Sequence, residues 1–199
     1  MPDDDASLEA VVIGASAGAV DALSKLLPLF PADFPAPIII VIHLPPDQKS
    51  AMPALFAAKC QLTVKEAEDK EPTMPGTVYF APPNYHVLLE QDGSLSLSSD
   101  EPLNFSRPSI DVLFESAADA HGARLAGIIL SGANSDGAKG LRAIVDAGGS
   151  ALVQSPQLAE AFVMPTSALE ACPEAQSLSL PEIFETLQNL CHVKNSDAR

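Results

Sequence analysis

Three apolar runs constrain this chain more than any other feature. Residues 11–13, 38–42 and 125–130 are dominated by Val, Ile and Leu, and each is too short and too β-branched to stand as a helix. A continuous apolar run such as 38–42 suits a strand covered on both faces, which requires a parallel sheet with helices on each side. The intervening sequence supplies them. Residues 20–30, 47–60, 165–172 and 181–193 read as helices, and a small-residue loop at 131–137 opens another that runs to Ala147. Ser106-Arg107-Pro108-Ser109-Ile110-Asp111 opens one more, with Pro108 placed in its first turn and Ile110, Leu113, Phe114 and Ala117 at helical spacing. Shorter strands are predicted at 62–65, 77–81 and 150–154. Residues 86–89 and 94–98, joined through Gln91-Asp92-Gly93, read as a β-hairpin. The expectation is an α/β, doubly wound, mostly parallel sheet with helices on both faces and an antiparallel hairpin appendage. The length of 199 residues favours one domain spanning 1–199.

Charge and cysteine usage narrow the partners. Against 26 acidic side chains stand 11 basic ones, a net charge of −15 that repels a phosphate backbone or an anionic membrane surface. Nucleic acid is not an expected partner. Cys60, Cys172 and Cys191 are scattered with no C-x-x-C pair, which fits a reducing compartment and neither a disulfide framework nor a zinc site. The acidic start Met1-Pro2-Asp3-Asp4-Asp5 lacks the basic and apolar regions of a signal peptide. No apolar stretch approaches the roughly 20 residues that span a bilayer. A cytoplasmic location without membrane insertion is expected.

The first run ends in Gly14-Ala15-Ser16-Ala17-Gly18, a Gly-x-Ser-x-Gly at a strand-to-helix bend. That spacing lifts a serine oxygen clear of the sheet edge, as a nucleophile requires. It equally suits a serine that caps the following helix or touches a phosphate, and both readings stand on this stretch alone. His43 ends the second run and Asp136 lies in the loop after the third. In an open parallel sheet those carboxyl ends share one edge, so Ser16, His43 and Asp136 can meet. Together they form the set that acyl transfer uses: a nucleophile, a base and a carboxylate that fixes the imidazole. Singly, His43 reads as a strand-end histidine, and Asp136-Gly137 as turn chemistry beside the potential caps Asn134 and Ser135. His86, His121 and His192 show no metal-binding spacing, and His121 beside Gly122 fits a helix C-terminus. The glycines make a poor dinucleotide fingerprint, because His43 stands where a ribose-binding acid belongs; the phosphate-loop motif is also missing.

Seven blocks in order resemble the catalytic domain of the CheB family, the chemotaxis protein-glutamate methylesterases. They are Ile13-Gly14-Ala15-Ser16-Ala17-Gly18, His43-Leu44-Pro45-Pro46, Val64-Lys65-Glu66-Ala67-Glu68-Asp69, Tyr79-Phe80-Ala81-Pro82, Arg107-Pro108-Ser109-Ile110-Asp111-Val112-Leu113-Phe114, Leu130-Ser131-Gly132 with Asp136-Gly137, and Met164-Pro165. The resemblance implies a serine esterase that removes methyl groups from glutamates on cytoplasmic chemoreceptor helices, releasing methanol, with glutamine deamidation as a second reaction in some members. It implies Ser16, His43 and Asp136 as the catalytic set, main-chain groups of Ala17 and Ala133 at the oxyanion loop, and no metal or organic cofactor. Ala17, Ala133-Asn134 after Gly132, and Ser106 depart from the family pattern, and the departures bear on substrate shape. The family pattern also places a receiver domain ahead of the esterase. None is expected on this chain, so a receiver domain or methyltransferase in the same pathway or polypeptide joins the receptor helices as an expected partner. Two alternatives stand beside this reading: a serine hydrolase using a Ser16–Asp136 dyad as in patatin-like enzymes, and a non-catalytic module that holds a receptor or signalling helix.

Overall fold

The computed structural model describes residues 7–43 and 51–192. Seven strands form one sheet: β1 (Ala10–Ala15), β2 (Ile38–Ile42), β3 (Thr63–Glu66), β4 (Thr77–Phe80), β7 (Leu125–Ile129), β8 (Ser150–Gln154) and β9 (Gln176–Leu178). Their order is β3-β4-β2-β1-β7-β8-β9, and every pair in it is parallel. The remaining strands, β5 (His86–Leu89) and β6 (Leu95–Ser98), pair antiparallel as a separate two-stranded sheet. This is the expected hairpin.

The apolar runs work through strand alternation. Val11, Ile13, Ile38, Ile40 and Ile42 enter one core, shared with α1 (Ala19–Leu26), α2 (Met52–Ala57) and α6 (Leu180–His192). Val12, Ile39 and Val41 enter the other, shared with the hairpin, α3 (Ile110–His121), α4 (Ala138–Asp146) and α5 (Val163–Ala171). Successive side chains point to opposite faces, so a strand buried on both sides must be apolar at every position. No helix among the described residues is long and apolar enough to cross a membrane.

Several boundaries differ from the sequence reading, each for a local reason. The first helix stops at Leu26, and residues 27–29 form a 3-10 turn, because Pro28 has no N–H to continue the α-helical ladder. α3 starts at Ile110, so Pro108 lies ahead of the helix and the extended Ser109 is its N-cap. α2 is described from Met52, and the expected start of that helix at 47–50, like the strand stop at 44–46, lies outside the described residues. α5 begins two residues earlier than expected, at Val163. The three-residue edge strand β9 is too short to carry a periodic signal.

Chain direction reverses beside β1. The chain lays β2 beside β1, passes to β3 at the sheet edge and fills the place between them with β4, then returns to lay β7, β8 and β9 on the other side. Loops leaving β1 and β7 therefore diverge at their carboxyl ends and open a crevice, the place where doubly wound sheets bind ligands. Gly14, the penultimate residue of β1, keeps that crevice roofed. A Cβ built on it would clash with Ile110 Cγ2, so the first residue of α3 rests on the bare strand backbone. Gly14→Ala should cost about 1–3 kcal/mol by overpacking. Chemical denaturation of Gly14→Ala, Ile110→Ala and the double variant tests this: the double variant is expected to be more stable than the sum of the single losses, and strict additivity would contradict the contact.

Candidate active site

Ser16 is the first residue beyond β1 and is partly exposed. Its N–H donates to Ser131 O (2.9 Å), and its carbonyl accepts from Ala19 N (3.0 Å). The N-cap of α1 is Gly18, which has no side chain, so the Ser16 hydroxyl is not the cap of that helix. The next loop is bound to the same place: Ser131 Oγ donates to Ala17 O (2.7 Å), while Ser131 N–H donates to the buried Gln154 Oε1 (2.9 Å). Ala17 and Ala133 are both exposed, on the two loops thus tied together.

His43 follows β2, with its N–H donating to Ala15 O (3.3 Å). Ala15 pairs with Ile42 in the β1–β2 register, so one further step brings Ser16 and His43 side by side. His43 Nε2 donates to Asp136 Oδ2 (2.8 Å). Its Nδ1 accepts from Asn134 Nδ2 (3.1 Å). The amide orientation is set by Asn134 Oδ1, which accepts from Asp136 N (3.0 Å). The three residues thus form a closed ring of bonds. Nε2 carries the proton and Nδ1 is the basic nitrogen.

Asp136 is buried and serves as an external cap for α3. Its Oδ2 also accepts from Ile110 N (2.7 Å), and its Oδ1 accepts from Ser109 Oγ (2.9 Å), Asp111 N (3.2 Å) and Asn104 Nδ2 (3.3 Å). The first amides of a 12-residue helix and its dipole therefore point at the carboxylate. Burial pushes the Asp136 carboxyl up, but the bonds from His43, Ile110, Asp111 and Ser109 outweigh it and hold the group below the usual carboxylate range. It stays ionised against the imidazole.

Asp111 is a second buried carboxylate, and the sequence reading assigned it no role. Its Oδ1 accepts from Gly137 N (3.0 Å) and Gly140 N (2.7 Å) at the start of α4, and its Oδ2 accepts from Asn104 Nδ2 (3.0 Å). Asn104, Ser109 and Asn134 are likewise new members of the site. One signal for Asp111 was present: at helical spacing it shares a stripe with the buried Phe114 and Ala118. His86 is structural, accepting from Ser109 N at Nδ1 (3.1 Å) and donating from Nε2 to Glu101 O (3.1 Å). His121 pairs with Glu9 Oε2 (2.9 Å) in addition to standing at the α3 terminus. The cleft beside His43 has a volume of about 320 Å³ and is lined by Phe105, Ser106 and Arg107 among others.

Chemically, the constellation holds a base of fixed tautomer, an ionised carboxylate behind it and a serine on the neighbouring strand end. A dyad would leave His43 idle, whereas here it is bonded to Asp136 at 2.8 Å.

Comparison with known proteins identifies the family and the fold. The family model described as CheB methylesterase matches residues 11–187. A Leptospira interrogans protein with the provisional name protein-glutamate methylesterase/protein-glutamine glutaminase is 49% identical over 177 residues, covering 89% of this chain and 92% of that protein. The Archaeoglobus fulgidus protein-glutamate methylesterase/protein-glutamine glutaminase is 34% identical over 187 residues, covering 92% of this chain and 54% of that longer protein. The crystal structure of the Thermotoga maritima CheB methylesterase catalytic domain superposes with a TM-score of 0.87 at 34% identity, over 92% of this chain and 99% of that one.

The two buried carboxylates give opposite pH signatures. Burial raises the Asp111 carboxyl above its usual value; the Gly140 and Gly137 amides oppose this, and repulsion from Asp136 and Glu115 adds to it. A raised folded-state value contributes stability below about pH 4 that is lost as the pH rises through that value. Denaturation at pH 4 and pH 7 should therefore show the wild type losing stability relative to Asp111→Asn as the pH rises. Equal pH slopes would show that folding leaves the Asp111 carboxyl at its unfolded-state value.

Proposed function

The chain belongs to the CheB methylesterase family, and from that premise we propose that it is a serine esterase hydrolysing glutamate methyl esters on chemoreceptors in chemotaxis. Ser16 is the proposed nucleophile, His43 the general base and acid, and Asp136 the carboxylate that holds the imidazole. The observation that carries this assignment is the His43–Asp136 bond of 2.8 Å, one register step from Ser16 at the point where strand order reverses.

In the proposed reaction the Asn134 amide gives way at His43 Nδ1, Ser16 Oγ attacks the ester carbonyl and passes its proton to that nitrogen, and the Nε2–H bond to Asp136 steadies the imidazolium. Negative charge on the carbonyl oxygen is met by main-chain N–H groups of Ala17 and Ala133, which alanines supply as well as any other residue. The tetrahedral intermediate expels methoxide, which takes the proton from Nδ1 and leaves as methanol. Water, deprotonated by the same nitrogen, then attacks the glutamyl-serine ester and releases the receptor carboxylate and Ser16. With glutamine as substrate the same steps expel ammonia. The receptor helices are the proposed partner, and the cytoplasm is the compartment where they are met. With a net charge of −15, encounter with an acidic helix draws little on electrostatic attraction. Tethering or a partner is the proposed source of encounter.

Methanol release from methylated receptor tests the assignment. Ser16→Ala is expected to lower turnover by at least ~10³-fold with the fold intact, as loss of a triad serine does elsewhere. His43→Gln and Asp136→Asn should each cost about 10³- to 10⁴-fold. A harmless His43→Gln beside a crippling Asp136→Asn would establish the dyad instead, and tight helix binding with no turnover by the wild type would establish the non-catalytic module.

A further inference from the structure

The segment between β6 and α3 carries an arrangement that neither folding nor the triad explains. Leu103 and Ser106 exchange backbone bonds, Leu103 N to Ser106 O (3.1 Å) and Ser106 N to Leu103 O (2.9 Å), closing a two-residue turn over Asn104 and Phe105. Both central residues lie in the left-handed region, at φ 52° and 61°. Turns of this kind favour Asn-Gly, because glycine alone takes the second position without steric cost. Here that position holds phenylalanine. Its side chain gains nothing from burial, since Phe105 is 105% exposed, the highest value among the exposed large apolar residues described. A bulky residue held at positive φ with its ring in solvent is the kind of local cost that persists where a site requires it.

Two further observations say which site. Phe105 lines the same cleft as His43. Its neighbour Asn104 reaches the other way, donating from Nδ2 to both Asp136 Oδ1 and Asp111 Oδ2, so the turn is fastened to the carboxylates behind the imidazole. Arg107 fixes the far side, with Nη1 donating to Ser99 O (2.9 Å) and Asp100 O (3.1 Å). The turn that carries Phe105 is therefore fixed beside the cleft, and the ring projects from it into solvent.

We propose that Phe105 is a specificity-determining residue, whose ring packs on an apolar side chain of the substrate helix within one turn of the esterified glutamate. The inference rests on the esterase reading above and names what that site reads. Methanol is too small a leaving group to be recognised, so discrimination among esters must come from the acyl side, where the peptide lies. An aromatic face beside the base offers apolar contact there, and the fixed turn beneath it spares the ordering cost of a mobile loop.

The test compares a helical peptide bearing a glutamate methyl ester flanked by leucines with p-nitrophenyl acetate, which lacks the acyl-side peptide. In Phe105→Ala, kcat/KM for the peptide should fall roughly 10-fold or more relative to that for p-nitrophenyl acetate, with the loss carried by KM. Phe105→Leu should restore much of the ratio. Phe105→Gly should lose the ratio equally while its Tm holds or rises, because glycine relieves the positive φ; a structural role would instead lower Tm. Ser16-dependent turnover of the peptide by the wild type, with an unchanged ratio in Phe105→Ala and Phe105→Gly, would overturn the assignment of Phe105 alone. Failure of the wild type to hydrolyse the peptide in a Ser16-dependent way would remove the esterase reading and this proposal with it.

Discussion

Two helices cap each other through carboxylates, and the site is assembled on that exchange. Asp136, just ahead of α4, accepts the first amides of α3; Asp111, in the first turn of α3, accepts Gly137 and Gly140 amides at the start of α4. Each helix has four N-terminal N–H groups with no intrahelical partner, and each here finds part of its satisfaction in the other's acid. An apolar residue at 136 would strand the Ser109 hydroxyl and the Ile110 and Asp111 amides, at about 1–3 kcal/mol for each buried donor. The carboxylate presented to His43 is thus locked by the same bonds that dock two helices. Ile110 completes the joint, wedged between Gly14 and Gly137, whose φ of 93° and absent side chain leave room for it.

The sheet contributes position and little chemistry. Parallel pairing of β1 with β2 sets Ser16 beside His43, and pairing of β1 with β7 brings the loop holding Asp136 over the same edge. Links across that edge run largely through main-chain atoms: Ser16 N to Ser131 O, Leu130 N to Gly14 O, and Ser131 Oγ to Ala17 O. Such links constrain where the loops lie and leave the side chains at 17 and 133 free to vary. The departures from the family pattern at Ala17 and Ala133 fall on these exposed loop positions, whereas the carboxylates that dock the helices are buried.

Much of this was legible in the sequence, for physical reasons. A strand buried on both faces must be apolar throughout, so the runs at 11–13, 38–42 and 125–130 revealed the central strands, and a parallel sheet forces their ends together. What stayed hidden depends on contacts between distant segments. Asp111 reads as an ordinary first-turn acid of its own helix, because nothing local reveals that its oxygens face another helix. Proline is common in first turns, so the sequence alone puts Pro108 and Ser109 inside α3, whereas the extended backbone at Ser109 turns its hydroxyl to Asp136. Asn134 read as a cap; its amide instead spans His43 and Asp136, a geometry that appears only once the third strand end meets the second.

The central place of β1 has a consequence for how the molecule comes into being. β1 precedes every other strand of its sheet in the chain, yet one of its two neighbours, β7, starts at Leu125. A chain emerging from the ribosome therefore carries Ser16 and His43 long before Asp136, and holds a strand with one edge still open. Distant strand pairing of this kind slows folding and leaves apolar edges exposed meanwhile. The site is completed late and all at once, when β7 closes the gap, so a nascent or truncated chain carries Ser16 and His43 without the carboxylate behind the imidazole.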